Sequence, residues 1–423
     1  MDDMTFNPAD QLANLQTDAY AVPLDQLNPA QPGLFQQDAI WPFFERLRRE
    51  APVHRTEESE FGPYWSITKY KQILQVEANH EAFSSDIHRG GIIIRDPEPD
   101  FVMPMFIAMD PPRHDLQREA VNPVISPTNL ARLEILIRER AGKILDAVPV
   151  GEVFDWVDTV SIELTTQMLA TLFDFPQEER RKLTHWSDVA TAIPGSGIIE
   201  SEAERQGILL ECLLRFTELW NDRVNAQPTG DLISLMAHAD ATRDQTPMEY
   251  LGNLLLLIVG GNDTTRNSIT GGLYALNKFP DQYSKLLANP GHVPNMVPEI
   301  IRWQTPLAHM RRTATRDIEF GGKQIREGDR VVMWYVSGNR DEEVIENPNA
   351  FDIERDRPRR HLSFGFGLHR CLGERLAELQ LRIMWEEILK RFGRIEVVEE
   401  PKRVYSSFVK GYERMLVRVS ERK

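Results

Sequence analysis

The sequence predicts a mainly α protein, a large helical part joined to a small β-rich part, and three observations carry that expectation. Between about residues 113 and 300, apolar residues recur at the spacing of amphipathic helices. Short stretches before and after this block alternate apolar with polar residues, as half-buried strands do. One segment, Leu254 to Val259, is apolar on every face, which suits a helix running through a core rather than over a surface.

In chain order, the first 34 residues hold Pro8, Pro23, Pro29 and Pro32 among many Asn, Gln and Asp, and read as an irregular leader. Residues 35–423 contain no Gly/Ser linker or low-complexity run, so one large domain is expected. Ile40 to Glu50 has helical spacing, and Val53-His54-Arg55 and Tyr64-Trp65-Ser66-Ile67 read as strands around a Phe61-Gly62-Pro63 turn. Helices are then expected over Ala131–Asp146, Val157–Leu172, Glu178–Ala190, Glu202–Ala226, Met248–Phe279 and Asp281–Leu287, broken at Pro176, Pro194-Gly195, Pro228 and Pro280. Ile318-Glu319-Phe320 and Val331-Val332-Met333-Trp334 return to strand patterns, and Ala377–Phe392 is amphipathic.

Composition excludes several function classes. The chain has 423 residues and a net charge of -15, which argues against a nucleic-acid partner. Its two cysteines, Cys212 and Cys371, cannot build a disulfide framework or a Cys-x-x-Cys metal site, and a reducing cytoplasm is the expected location. The run Leu254–Val259 is far short of the roughly 20 apolar residues a membrane span needs, and Met1-Asp2-Asp3 does not open a signal peptide.

Chemistry concentrates in Phe364-Gly365-Phe366-Gly367-Leu368-His369-Arg370-Cys371-Leu372-Gly373. The glycines permit a tight turn and close approach to a flat ligand. A helix expected to begin after Gly373 would aim its free N–H groups at the sulfur, which suits a thiolate. A second signal is Gly260-Gly261-Asn262-Asp263-Thr264, where the apolar helix turns polar. Two adjacent glycines cost about 1 kcal/mol each inside a helix, and a local widening of the helix would give them a purpose.

The spacing Phe-x-x-Gly-x-His-x-Cys-x-Gly resembles the heme-thiolate signature of the cytochrome P450 family. That resemblance implies the P450 fold, with heme b (iron protoporphyrin IX) between a long central helix and the loop carrying Cys371 as the axial iron ligand. It implies that Thr264 hydrogen-bonds dioxygen and that Asp263 links it to the proton supply, with Gly261 beside the heme. His114 and Arg118, four apart on one helix face, match a propionate-binding pair, and Arg312 and His369 match the remaining propionate positions. Arg311 is a rival for Arg312, one residue away. Glu299-Ile300-Ile301-Arg302 resembles the family's Glu-x-x-Arg, whose partner would be Arg355 and whose role would be to brace the cysteine loop.

Stretches around Ser161–Pro176, Gly260–Arg266 and Arg302–Arg312 further resemble the bacterial alkane terminal hydroxylases of the family, from about residue 35 to the end. This implies hydroxylation of the terminal methyl of medium-chain alkanes, fatty acids or related linear hydrocarbons to primary alcohols. Substrate positions would be Leu256, Val259, Leu307, Phe408 and Val409, all apolar. A terpene or other compact apolar substrate is the alternative within this chemistry, and a peroxide-dependent peroxygenase or a heme-based sensor lies outside it. No flavin, nicotinamide or iron–sulfur motif is present, so electrons would come from outside. The resemblance implies a two-iron ferredoxin with an NADH-dependent reductase, docking near Arg357, Arg359, Arg360 and Arg370.

Overall fold

A computed structural model describes residues 15–423. Of the leader, residues 1–14 lie outside the described residues. Its remainder is partly built into the core: Ala19, Leu27, Ala30 and Leu34 are fully buried and pack with Phe43, Phe44 and Trp334.

The β-rich part is a five-stranded sheet in the order β1-β2-β8-β5-β3, from β1 (Val53–Thr56), β2 (Tyr64–Ile67), β3 (Phe83–Ser84), β5 (Met310–Ala314) and β8 (Arg330–Met333). Its middle pairing, β2 with β8, is parallel and sets Trp65 opposite Val331, so distant parts of the chain share one sheet. A hairpin of β6 (Ile318–Phe320) and β7 (Lys323–Ile325) turns at Gly321-Gly322, both with positive φ. Strands β4 (Val153–Asp155), β9 (Ile395–Val397) and β12 (Leu416–Val419) form a second sheet, and β10 (Lys402–Arg403) pairs with β11 (Tyr412–Arg414).

The helices are α1 (Pro32–Gln36), α2 (Trp41–Glu50), α3 (Tyr70–Ala78), α4 (Arg113–Val121), α5 (Pro127–Ala147), α6 (Glu163–Phe173), α7 (Arg181–Thr191), α8 (Glu202–Val224), α9 (Leu232–His238), α10 (Pro247–Lys278), α11 (Pro280–Ala288), α12 (Val293–Gln304), α13 (Tyr335–Gly338) and α14 (Glu374–Arg391). Their bounds follow local chemistry. Ser126, Ser201, Asp231 and Thr246 each accept a hydrogen bond from a backbone N–H of the first turn they cap. Pro127, Pro247 and Pro280 sit in first turns, where a missing N–H costs nothing.

The central helix α10 is buried along most of its length and separates two apolar cores. One joins α5, α6, α12 and α14 through residues such as Ile137, Met168, Ile300 and Trp385. The other joins α7, α8 and α9 through Trp186, Phe216 and Met236. No helix among the described residues is long and apolar enough to cross a membrane.

One expectation from the glycine pair is not met. Helix α10 is regular through Gly260 and Gly261, with no widening, and the wide turn of the molecule lies at Val157–Ile162 instead. A Cβ on Gly261 would stand 2.7 Å from Cδ2 of Leu169 on α6, so its small size answers to helix packing. At Gly260 a Cβ would meet open space.

Candidate functional site

Cys371 follows a turn in which Gly365 and Gly367 take φ of +67° and +68°, a region that favours glycine. Its N–H donates to the Phe364 carbonyl at 2.8 Å, closing the loop. Helix α14 begins three residues later with Gly373 at its N-cap, and the Gly373 N–H donates to the sulfur. Burial pushes the Cys371 thiol up to about 11, against the pull of that N–H and of Arg118 and Arg370. A metal would displace this proton, since the thiolate is the ligand.

The side chain of Cys371 is exposed to a cavity of about 450 Å³ that runs between the cysteine loop, α10, α4 and the loops after β3. Thr264, Gly261, His114, Arg118, Arg312 and His369 all line it, together with Leu256, Val259, Leu307 and Phe408. Val409 does not. It is buried behind the wall, where its backbone pairs with that of Leu307.

Strand β5 separates the two rival arginines. Adjacent strand residues face opposite ways: Arg312 lines the cavity, whereas Arg311 reaches Asp96 at 2.6 Å and the Ile94 carbonyl at 3.4 Å. On α4, His114 Nδ1 meets Asp115 Oδ1 at 2.7 Å. His369 Nε2 meets the Ser85 hydroxyl at 3.0 Å, and the two imidazole centroids stand 4.3 Å apart. Their other ring nitrogens, His114 Nε2 and His369 Nδ1, are buried without a hydrogen-bond partner. Burial pulls both imidazoles below their ordinary pKa. With Ser85 donating to Nε2, His369 carries its proton on Nδ1 and offers it to the cavity, whereas His114 spends its Nδ1–H on Asp115 and in the neutral form presents Nε2 as an acceptor.

Unpaired buried polar groups cost roughly 1–3 kcal/mol each, and here they border a cavity with two guanidinium groups and a thiol. This donor set fits heme: a soft sulfur for iron, and arginine and imidazole N–H groups for two carboxylates.

On α10, Thr264 donates to the Gly260 carbonyl at 2.7 Å, which leaves its oxygen lone pairs free to accept from the cavity. Asp263 is fully buried and turned toward α7. Ser187 donates to its Oδ1 at 3.0 Å, as does Asn262 at 3.0 Å, and Arg266 pairs with it at 3.0 Å. Its Oδ2 has no partner. No hydrogen bond joins Asp263 to Thr264 in this structure. Burial raises the Asp263 carboxyl to about 6, with Arg266 pulling the other way.

Behind the loop, Glu299 accepts from Arg302 Nε at 2.7 Å and Nη2 at 2.8 Å, and from Arg355 Nε at 2.9 Å. Arg302 also donates to the carbonyls of Asn339, Pro348 and Ala350 at 2.8–2.9 Å. This is the Glu-Arg-Arg network that the resemblance to the family's Glu-x-x-Arg implied.

Three groups near the cavity gave no signal in the sequence. Ser85 orients His369, while Glu77 and Tyr335 hydrogen-bond each other beside Arg312. Each lies far along the chain from the residue it serves, so no spacing could have announced it.

The family model described as Cytochrome P450 matches residues 150–411. Linalool 8-monooxygenase from Pseudomonas putida is 34% identical over 395 residues, covering 91% of this chain and 97% of that one. A methyl-branched lipid omega-hydroxylase from Mycobacterium bovis is 31% identical over 382 residues, covering 87% and 88%. Among solved structures, CYP153D17 from Sphingomonas sp. PAMC 26605 is similar with a TM-score of 0.88 at 50% identity, covering 94% of this chain and 100% of that one.

Proposed function

The chain belongs to the cytochrome P450 family, a monooxygenase with heme b as cofactor, and on that premise we propose that it hydroxylates the terminal methyl of medium-chain alkanes, fatty acids or similar linear hydrocarbons to primary alcohols. The observation carrying this reading is the wall of Leu256, Val259, Leu307 and Phe408 lining the cavity that Cys371 opens onto. Burial of an alkyl chain there is worth about 0.8 kcal/mol per CH₂, and a narrow wall can present the methyl end ahead of the weaker secondary C–H bonds. The likeness to a methyl-branched lipid omega-hydroxylase supports the same regiochemistry.

The net reaction is R–CH₃ + O₂ + 2 electrons + 2 protons to R–CH₂OH + H₂O. Bound through Cys371, heme b supplies dioxygen activation and the oxidation of the C–H bond. Arg118 and Arg312 would hold its propionates with two positive charges, His369 would add a neutral N–H, and His114 would donate from Nε2 as the imidazolium that Asp115 favours. Thr264 Oγ1 lines the cavity and donates to the Gly260 carbonyl, so its lone pairs are open to a donor in the cavity, and its proton reaches the cavity only when the hydroxyl turns away from Gly260. Asp263, with a carboxyl near 6, holds a transferable proton close to neutrality, and its side chain must swing from Ser187 toward the cavity to deliver it.

Electrons come from a ferredoxin at the arginine rim. Arg359 is bound to Glu378 and Arg370 to Glu374 at 2.7 Å, so Arg360 and Arg357, the latter 3.6 Å from Asp356, contribute most of the available charge there.

Turnover of octane, dodecanoic acid and limonene with a ferredoxin and an NADH-dependent reductase tests the proposal. Primary alcohols from the two linear substrates are expected, and the Leu307→Phe variant should change the ratio of terminal to subterminal product. Oxidation of limonene alone would overturn it.

A further inference from the structure

Glu77 is a buried carboxylate to which the hydroxylation reaction gives no role. It sits on α3 with its side chain 1% exposed, and Oε1 stands 3.7 Å from Nη2 of Arg312. The Tyr335 hydroxyl donates to Oε1, and the Phe366 N–H of the cysteine loop donates to the same carboxyl group. The loop is shaped around this residue. A Cβ on Gly367 would stand 2.9 Å from the Glu77 carbonyl oxygen, and one on Gly365 would stand 3.4 Å from Oε1. Three elements therefore meet at one acid: β5 through Arg312, α13 through Tyr335, and the loop that carries Cys371.

We propose that Glu77 is a positioning residue for the heme, which fixes the Arg312 guanidinium at the cavity wall, ties it to the cysteine loop, and through its negative charge sets the reduction potential of the iron. The charge count gives the direction. The cavity offers two guanidinium groups, Arg118 and Arg312, to the two propionates that heme would bring. Asp115 stands beside His114, and Asp96 is taken up by Arg311 and Arg330 on the other side of β5. A carboxylate at Glu77 offsets the Arg312 guanidinium from 3.7 Å. Negative charge fixed beside the heme would disfavour an added electron and hold the potential down. This inference rests on heme binding and not on the identity of the substrate.

The test compares the wild-type heme protein with Glu77→Gln and Tyr335→Phe, by redox titration of the heme absorption and by the rate of heme transfer to apomyoglobin. All three should give the same absorption maximum for the reduced CO complex, because Cys371 is untouched. Glu77→Gln should have a more positive midpoint potential and lose heme about fivefold faster, the effect of one lost hydrogen bond. Burial raises the Glu77 carboxyl while Arg312 and the Tyr335 hydroxyl pull it down, so Tyr335→Phe shifts it toward the neutral form and its potential should move the same way. A Glu77→Gln protein with unchanged potential overturns the proposal, even if heme loss accelerates, because packing alone would produce that. Where Glu77→Gln gives no heme protein, an unchanged potential in Tyr335→Phe overturns it instead. Turnover of alkanes or fatty acids enters neither readout.

Discussion

Two clusters of charge are built into this chain, and they differ in whether their bonds are complete. Around Glu299 the cluster is closed: both oxygens accept, and Arg302 donates from Nε, Nη1 and Nη2 to the acid and three carbonyls. Around the cavity the cluster is open: His114 Nε2 and His369 Nδ1 find no partner although both are buried. Folding tolerates few unpaired buried polar groups. Here the closed cluster is scaffold, and the open one is singled out because its unpaired nitrogens sit beside a thiol and two guanidinium groups on one cavity.

The largest expected effect comes from breaking the closed cluster. Glu299→Gln leaves Arg302 and Arg355 charged, buried and without their acid, a situation that costs about 3–5 kcal/mol. Urea denaturation of the purified protein should show a loss of this size, with poor recovery of folded heme protein. A loss below about 1 kcal/mol would erase the distinction between the clusters.

How far each cluster could be read from sequence tracks the range of its contacts. Glu299 and Arg302 are three apart and visible as a pair. Arg355 entered only through family resemblance, and the carbonyls of Asn339, Pro348 and Ala350 could not be read at all, because a backbone acceptor leaves no mark in residue type. The helices between 113 and 300 were legible from periodicity, whereas the parallel pairing of Trp65 with Val331 was not, since strand order depends on tertiary closure. Gly261 misled for a similar reason: its partner is Leu169, on another helix. Val409 shares the apolar character of Phe408, yet only the structure places one behind the wall and the other on it. Glu77 sits on a helix whose apolar spacing is weak, and its partners lie at 312, 335 and 366.

Asp263 stands between the two extremes, with Oδ1 fully engaged and Oδ2 unpartnered. Its carboxyl is raised to about 6 in the folded state by burial. Between the ordinary carboxylate range and 6, the folded protein therefore holds a proton that the unfolded chain has released. With more protons bound when folded, stability falls as pH rises through this window, by about 1.4 kcal/mol per pH unit. Asp263→Asn removes the term. Denaturation at pH 5 and pH 7.5 should show the wild type losing about 1.4 kcal/mol relative to the variant as pH rises, all of it below about pH 6.5. A stability gap independent of pH would place Asp263 with the closed cluster, ionised throughout.

The smallest effect should come from the open cluster, and it should fall on the cofactor and not on the fold. His114→Phe removes an imidazole whose Nε2 is unpaired, and it keeps a ring of similar size against His369. The heme-free protein should change in stability by less than about 1 kcal/mol, because no completed bond to Nε2 is lost and only the contact with the exposed Asp115 goes. With heme bound, the same substitution removes a propionate donor, which at about 0.5–1.5 kcal/mol predicts heme transfer to apomyoglobin roughly two- to tenfold faster. The two measurements have to diverge for the comparison to hold. If His114→Phe destabilises the heme-free protein by as much as Glu299→Gln does, the unpaired nitrogen is part of the scaffold and does not mark a heme contact.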